Sequence, residues 1–122
     1  MKMGSANFSK PDEVRSFDKG KVELVKLGDS VVGRATFEPG WRWSTCVKPV
    51  ANTKSCEAAH FAYQVSGTMR VRMDDGTEMA IKPGDVNFIP SGHDAWVVGN
   101  ESVVTLDFQG MSNYAQGASA HA

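Results

Sequence analysis

Between Gly84 and Gly99 the chain reads GDVNFIPSGHDAWVVG, and the spacing of Gly84, Pro90 and Gly92 constrains the fold more than any other stretch. Two strand-like runs, Val86–Ile89 and Ala95–Val98, flank a tight corner. Pro90 fixes its own φ and donates no backbone hydrogen bond, while Gly92 tolerates positive φ. Such a corner turns one short strand sharply into the next. It also delivers His93 and Asp94 to the head of the second strand.

The same grammar runs through most of the chain. From Lys21 onward apolar residues recur with period two between turn residues, which predicts strands at Lys21–Leu27, Val31–Glu38, Trp41–Val47, Cys56–Val65, Thr68–Met73, Thr77–Ile81, Val86–Ile89, Ala95–Val98 and Ser102–Phe108. Asp74-Asp75-Gly76 marks a hairpin, and Lys48–Ser55 reads as a polar loop. A short helix is expected only at Ser9–Phe17, where Ser9 can cap a turn holding Pro11, Asp12 and Glu13. Short strands without intervening helices predict an all-β sandwich or barrel. Pro39-Gly40 and Pro83-Gly84 look like equivalent corners of two related halves, the pattern of a jelly roll. With 122 residues the chain makes one domain. We divide it into an N-terminal segment with the short helix (1–20), a β-barrel (21–110) and a flexible tail (111–122).

Composition narrows the function. Apolar residues make up 41% of the chain and charged residues 22%, with a net charge of -1. Basic residues are scattered, so neither nucleic acid nor an anionic membrane surface is an expected partner. No apolar run approaches the roughly 18 residues of a membrane span. The opening MKMGSANFSK lacks the apolar core of a secretory signal, so a cytoplasmic location is expected, with Cys46 and Cys56 reduced. His121, in the polar tail, reads as incidental.

The Gly84–Gly99 corner resembles the second motif of the cupin superfamily: Gly, five residues, Pro, one residue, Gly, and then a metal-binding His. Here the position of that His is Ala95. Cupins also carry an earlier motif of Gly, five residues, His-x-His, then Glu, and a closing Gly seven residues after that Glu. In this chain Gly40 is followed by Cys46 and Lys48 at the two His positions, while His60 stands at the Glu position and Gly67 closes the motif. The resemblance covers Val31 to Phe108 and implies a double-stranded β-helix, or jelly-roll barrel, with atypical ligand positions.

Strand alternation puts Cys56, Ala58, His60 and Ala62 on one face. If residues 46–48 pair with 54–56, Cys46 faces Cys56, and His93 can reach the same barrel mouth. Cys46, Cys56, His60 and His93 are therefore the candidate metal ligands. Thiolate and imidazole suit Zn²⁺, or Cu and Fe, better than Mg²⁺ or Ca²⁺. The alternatives are cysteines acting as small buried hydrophobes or joined in a disulfide, and a hydrogen-bonded structural His60. Trp43 and Trp96 are candidate walls of a ligand pocket, against the alternative of simple packing, and Asp94 is expected to cap its turn.

Three functions remain open on this reading. One is a binder of a small organic ligand in the barrel mouth, with or without metal. The second is a metal-dependent cupin enzyme of dioxygenase, isomerase or decarboxylase type using a rewired Cys/His site. The third is a β-surface interaction protein, and a homodimer is expected in any case.

Overall fold

Nine short strands make up two antiparallel sheets in the computed structural model, which describes residues 2–111 and Tyr114. The strands are β1 (Glu13–Phe17), β2 (Gly20–Leu27), β3 (Ser30–Phe37), β4 (His60–Ser66), β5 (Thr68–Met73), β6 (Glu78–Ile81), β7 (Val86–Ile89), β8 (His93–Val98) and β9 (Val103–Asp107). Two single turns of helix, α1 (Trp43–Cys46) and α2 (Lys48–Ala51), lie between β3 and β4. One sheet has the order β1-β2-β3-β9-β4-β7, and the other has the order β6-β5-β8. The apolar core, including Val22, Leu24, Phe37, Trp41, Met69, Val71, Ile81 and Val97, fills the space between them. This is the all-β jelly roll that the turn spacing predicts. No helix among the described residues is long and apolar enough to cross a membrane.

The predicted hairpin closes as Arg72↔Glu78 around Asp74-Asp75-Gly76, with Gly76 at φ 93°. Gly67 is needed for two reasons. Its φ is 75°, and a Cβ there would lie 2.5 Å from the Ser102 carbonyl oxygen and 2.8 Å from Val103 Cα. The β4–β5 turn thus passes against the start of β9 with no room for a side chain.

Three local expectations are corrected. The helix expected at Ser9–Phe17 is instead strand β1, paired with β2 from Glu13↔Leu24 to Phe17↔Gly20. Its burial alternates, with Arg15 inward and Val14 and Ser16 outward, so sheet pairing overrides the capping signal. The strand expected at Trp41–Val47 survives only as a bridge between Arg42 and Trp96 before the chain coils into α1. The Asp94 carboxylate, reaching from β8, accepts the Ser44 N–H at 3.0 Å and so satisfies a free donor of that first turn. Finally, the loop expected at Lys48–Ser55 contains α2, which starts with Pro49 in its first turn and ends at Asn52 in the left-handed region.

The tail was expected to be loose. Its described members, Met111 and Tyr114, are both buried, and the Arg15 guanidinium donates to their carbonyl oxygens at 3.1 and 2.8 Å. His121 lies outside the described residues.

Gly67→Ala combines a strained φ with a clash against backbone. We expect it to lower unfolding free energy by about 2–3 kcal/mol, read as a lower urea midpoint at unchanged slope.

Candidate functional site

Alternation along β4 turns His60, Ala62 and Gln64 inward and leaves Phe61, Tyr63 and Val65 exposed. His60 is 6% exposed and stands at the mouth end of the strand. Neighbouring β9 pairs Asp107 with Ala62, which brings the Asp107 carboxylate beside the imidazole. His60 Nδ1 and Asp107 Oδ2 are 2.5 Å apart. The other carboxylate oxygen accepts the backbone N–H groups of Gln109 and Gly110, each at 2.9 Å. The proton on Nδ1 is therefore held toward Asp107, and Nε2 faces the mouth.

Cys56 sits opposite His93 in an isolated bridge, its N–H donating to the His93 carbonyl at 2.8 Å. Its Sγ lies 3.7 Å from His60 Nε2. His93 follows the Gly92 corner and points inward with Ala95 and Val97. Its Nδ1 lies 2.9 Å from the Pro90 carbonyl, an acceptor, so Nδ1 donates there and Nε2 keeps its lone pair. One donor atom each from Cys56, His60 and His93 lies within 4.8 Å of the others, and all three residues are buried.

The electrostatics follow from this contact chain. Burial pushes the Cys56 thiol up, but hydrogen bonds and charge from His60 and His93 outweigh it and hold it at about 7. Burial alone would push the His60 imidazole down; instead Asp107 and Cys56 raise it to about 9. Burial also works to raise the Asp107 carboxyl, yet the His60 bond and the two backbone N–H groups bring it below the ordinary range. Tyr114, fully enclosed, has its phenol pushed well above its ordinary value by burial.

A hollow of about 470 Å³, its open mouth included, runs inward from these groups. Phe37, Trp41, Trp43, Met69 and Tyr114 are among its apolar walls, and Gln64, Asn87 and Thr105 supply polar ones. The Tyr114 ring stands 5.6 Å from the His60 ring, edge-on, and closes one side.

Of the six candidates named from sequence, Cys56, His60 and His93 converge, and Trp43 lines the hollow. Cys46 does not join them. The coil of α1 removes the hairpin that would have set it opposite Cys56, and its Sγ instead donates to Asp18 at 3.7 Å. Both cysteines are free thiols. Trp96 alternates to the outer side of β8, where Arg42 stacks on its ring at 4.4 Å, so it is a surface residue rather than a pocket wall. Asp94 does not cap its own corner, whose Gly92 and His93 N–H groups donate to the Cys56 carbonyl; its carboxylate instead ties α1 to β8 through Arg42 and Ser44. Asp107 and Tyr114 escaped sequence reasoning. For Asp107 a signal existed, since it falls on the inward phase of Val103 and Thr105, where a carboxylate needs a partner. For Tyr114 none did.

No protein-family model matches the sequence, and no curated protein matches it. Solved structures do match. A sugar phosphate isomerase of the cupin superfamily from Silicibacter pomeroyi aligns with a TM-score of 0.59 at 18% identity, over 84% of this chain and 76% of its own. The polyketide cyclase RemF from Streptomyces resistomycificus aligns at 0.62 and 17%, over 89% and 80%. An uncharacterized protein with a double-stranded β-helix domain from Klebsiella pneumoniae aligns at 0.55 and 19%, over 88% and 81%. The chain has the cupin fold.

The perturbed thiol gives a direct test. In metal-free protein carrying Cys46→Ala, alkylation of Cys56 by iodoacetamide should reach half its maximal rate near pH 7, because the thiolate is the nucleophile. Asp107→Asn removes the charge that sustains the imidazolium, so the midpoint should move upward. A midpoint that stays in place would detach Asp107 from the thiol.

Proposed function

We propose that this cupin-fold protein binds a transition-metal ion, zinc first, through Cys56 Sγ, His60 Nε2 and His93 Nε2, and accepts a small organic ligand in the adjoining hollow. The carrying observation is the convergence of those three donors with both histidines already oriented from behind. Asp107 holds one Nδ1 and the Pro90 carbonyl the other, the outer partners that metal-bound histidines use to fix tautomer and ring angle. The 3.7 Å between Cys56 Sγ and His60 Nε2 matches the roughly 3.6 Å edge expected of tetrahedral zinc with ordinary Zn–S and Zn–N lengths. Two free thiols suit a reducing, cytoplasmic setting.

A second reading, a metal-dependent enzyme, draws on the open side of the cluster. Three protein ligands facing a hollow is the layout of catalytic rather than structural zinc, where the metal acts as a Lewis acid. The isomerase and cyclase among the structural neighbours support the fold's aptitude for such chemistry.

A homodimer through the outer face of β4, β7 and β9 completes the proposal. Phe88, Phe61 and Phe108 form one row across the strands, with Val86, Tyr63 and Leu106 behind it. No charged residue sits in these outward rows, so two copies meet without burying a lone charge. The exposed portions of these side chains sum to roughly 600 Å², on the order of the 800 Å² per partner that a stable interface buries.

Protein purified without a metal-affinity tag should carry or take up about one zinc per chain. Cys56→Ala and His60→Ala should abolish that stoichiometry while Cys46→Ala keeps it, and Asp107→Asn should weaken zinc binding about 10–100-fold. Failure of unaltered protein to bind added zinc would end the metal reading. Light scattering should give twice the chain mass, reduced to one by Phe88→Lys; a monomeric parent would end the dimer reading.

A further inference from the structure

Asn87 is the polar residue of the hollow whose presence the fold does not require. It points inward from β7 together with Ile89, while Val86 and Phe88 face outward, and it is 8% exposed. Asparagine is depleted in strands, and a buried amide normally finds partners. Among the described residues no hydrogen bond reaches the Asn87 side chain. Only Trp41 Nε1 is both unpaired and sealed from solvent, so the Asn87 amide stays open to the hollow it lines.

Sheet register explains why its neighbours leave it free. Asn87 stands directly across from Ala62, and Asp107 stands across from Ala62 on the other side. Two strand spacings, about 9.6 Å, therefore separate Asn87 from Asp107, with only a methyl group between them. The Asp107 carboxylate is in any case spent on His60 and two backbone N–H groups. Gln64, the next inward residue of β4, turns its amide nitrogen to the Gly67 carbonyl at 3.1 Å. In the other direction His60 lies two residues from Ala62, about 6.7 Å along the strand. The free amide thus sits one inward step deeper than the metal-ligating row.

A primary amide presents a donor and an acceptor side by side in one plane. A carboxylate has no hydrogen to offer the Asn87 oxygen, and an ammonium has no lone pair for its nitrogen. A second carboxamide supplies both through two parallel bonds and leaves no buried polar atom unmatched. We infer that the ligand is a small bifunctional compound, one end coordinating the metal and the other a carboxamide paired with the side chain of Asn87. This rests on the reading of the hollow as a ligand site beside a metal.

The test uses succinamate, succinate and 4-methylpentanoate as probes. They share a carboxylate head and a two-carbon spacer, and their tails are a carboxamide, a carboxylate and an isopropyl group. Each is titrated at pH 7.5 into cobalt-loaded protein, whose visible spectrum reads coordination of the head. The side-chain NH₂ resonances of Asn87 are followed in zinc-loaded protein, and metal content is measured in every sample. Succinamate should bind roughly tenfold more tightly than either analogue and shift the Asn87 pair saturably. Asn87→Leu, close in volume, should bring succinamate down to the level of 4-methylpentanoate. With metal bound, equal affinities, saturation without an Asn87 shift, or a preference surviving Asn87→Leu would each overturn the inference and leave the metal reading standing. Protein that takes up no metal yet shows the succinamate-specific Asn87 shift would support the amide subsite while counting against the metal. Neither metal nor shift would overturn both.

Discussion

The bond between His60 and Asp107 organises the rest of the site. Two groups that would each be costly to bury alone are placed 2.5 Å apart, and the carboxylate's second oxygen is satisfied by the N–H groups of Gln109 and Gly110. The pair joins the inner faces of β4 and β9, chooses the tautomer of the imidazole, and thereby decides which nitrogen Cys56 meets. The turn after β9 has to be bare beside it: a Cβ at Gly110 would meet the Ala59 carbonyl oxygen first and would fall 2.6 Å from His60 Nδ1. One short polar contact thus accounts for a buried charge and a ring orientation.

The relation between fold and donors is loose by comparison. The Gly-Pro-Gly corners build the barrel through backbone angles that do not depend on which side chains carry the chemistry. At the head of β8 the familiar histidine position is Ala95, yet His93 lies two residues earlier and hence on the same inward face. Period-two geometry lets a ligand move along a strand by two without leaving the mouth. The first motif behaves differently. Its ligand positions, Cys46 and Lys48, belong to helical turns, and Cys56, outside that motif, comes to the cluster through its bridge to His93.

How much of this the sequence disclosed depends on the range of the interaction. The hairpin at Asp74-Asp75-Gly76, the corner at Pro90 and the inward phase of His60 were legible because each is set within a few residues. The strand assignment of Glu13–Phe17 was not, since local capping chemistry pointed to helix and only the pairing with β2 settles it. Trp41–Val47 erred in the other direction: its β-rich composition hides a helical turn held by a carboxylate some fifty positions away, Asp94. The pocket was half legible. Cys56, His60 and His93 announce themselves as ligating residue types, whereas Asp107 becomes meaningful only beside His60, and Tyr114 only once the chain has returned to the barrel.

That return ties the chamber to a distant part of the sequence. Arg15, in β1, donates to carbonyls at Met111 and Tyr114, contacts spanning 96 and 99 positions. The aromatic wall at Tyr114 is thus anchored by a residue of the first strand, and the enclosed space depends on a contact between segments far apart along the chain.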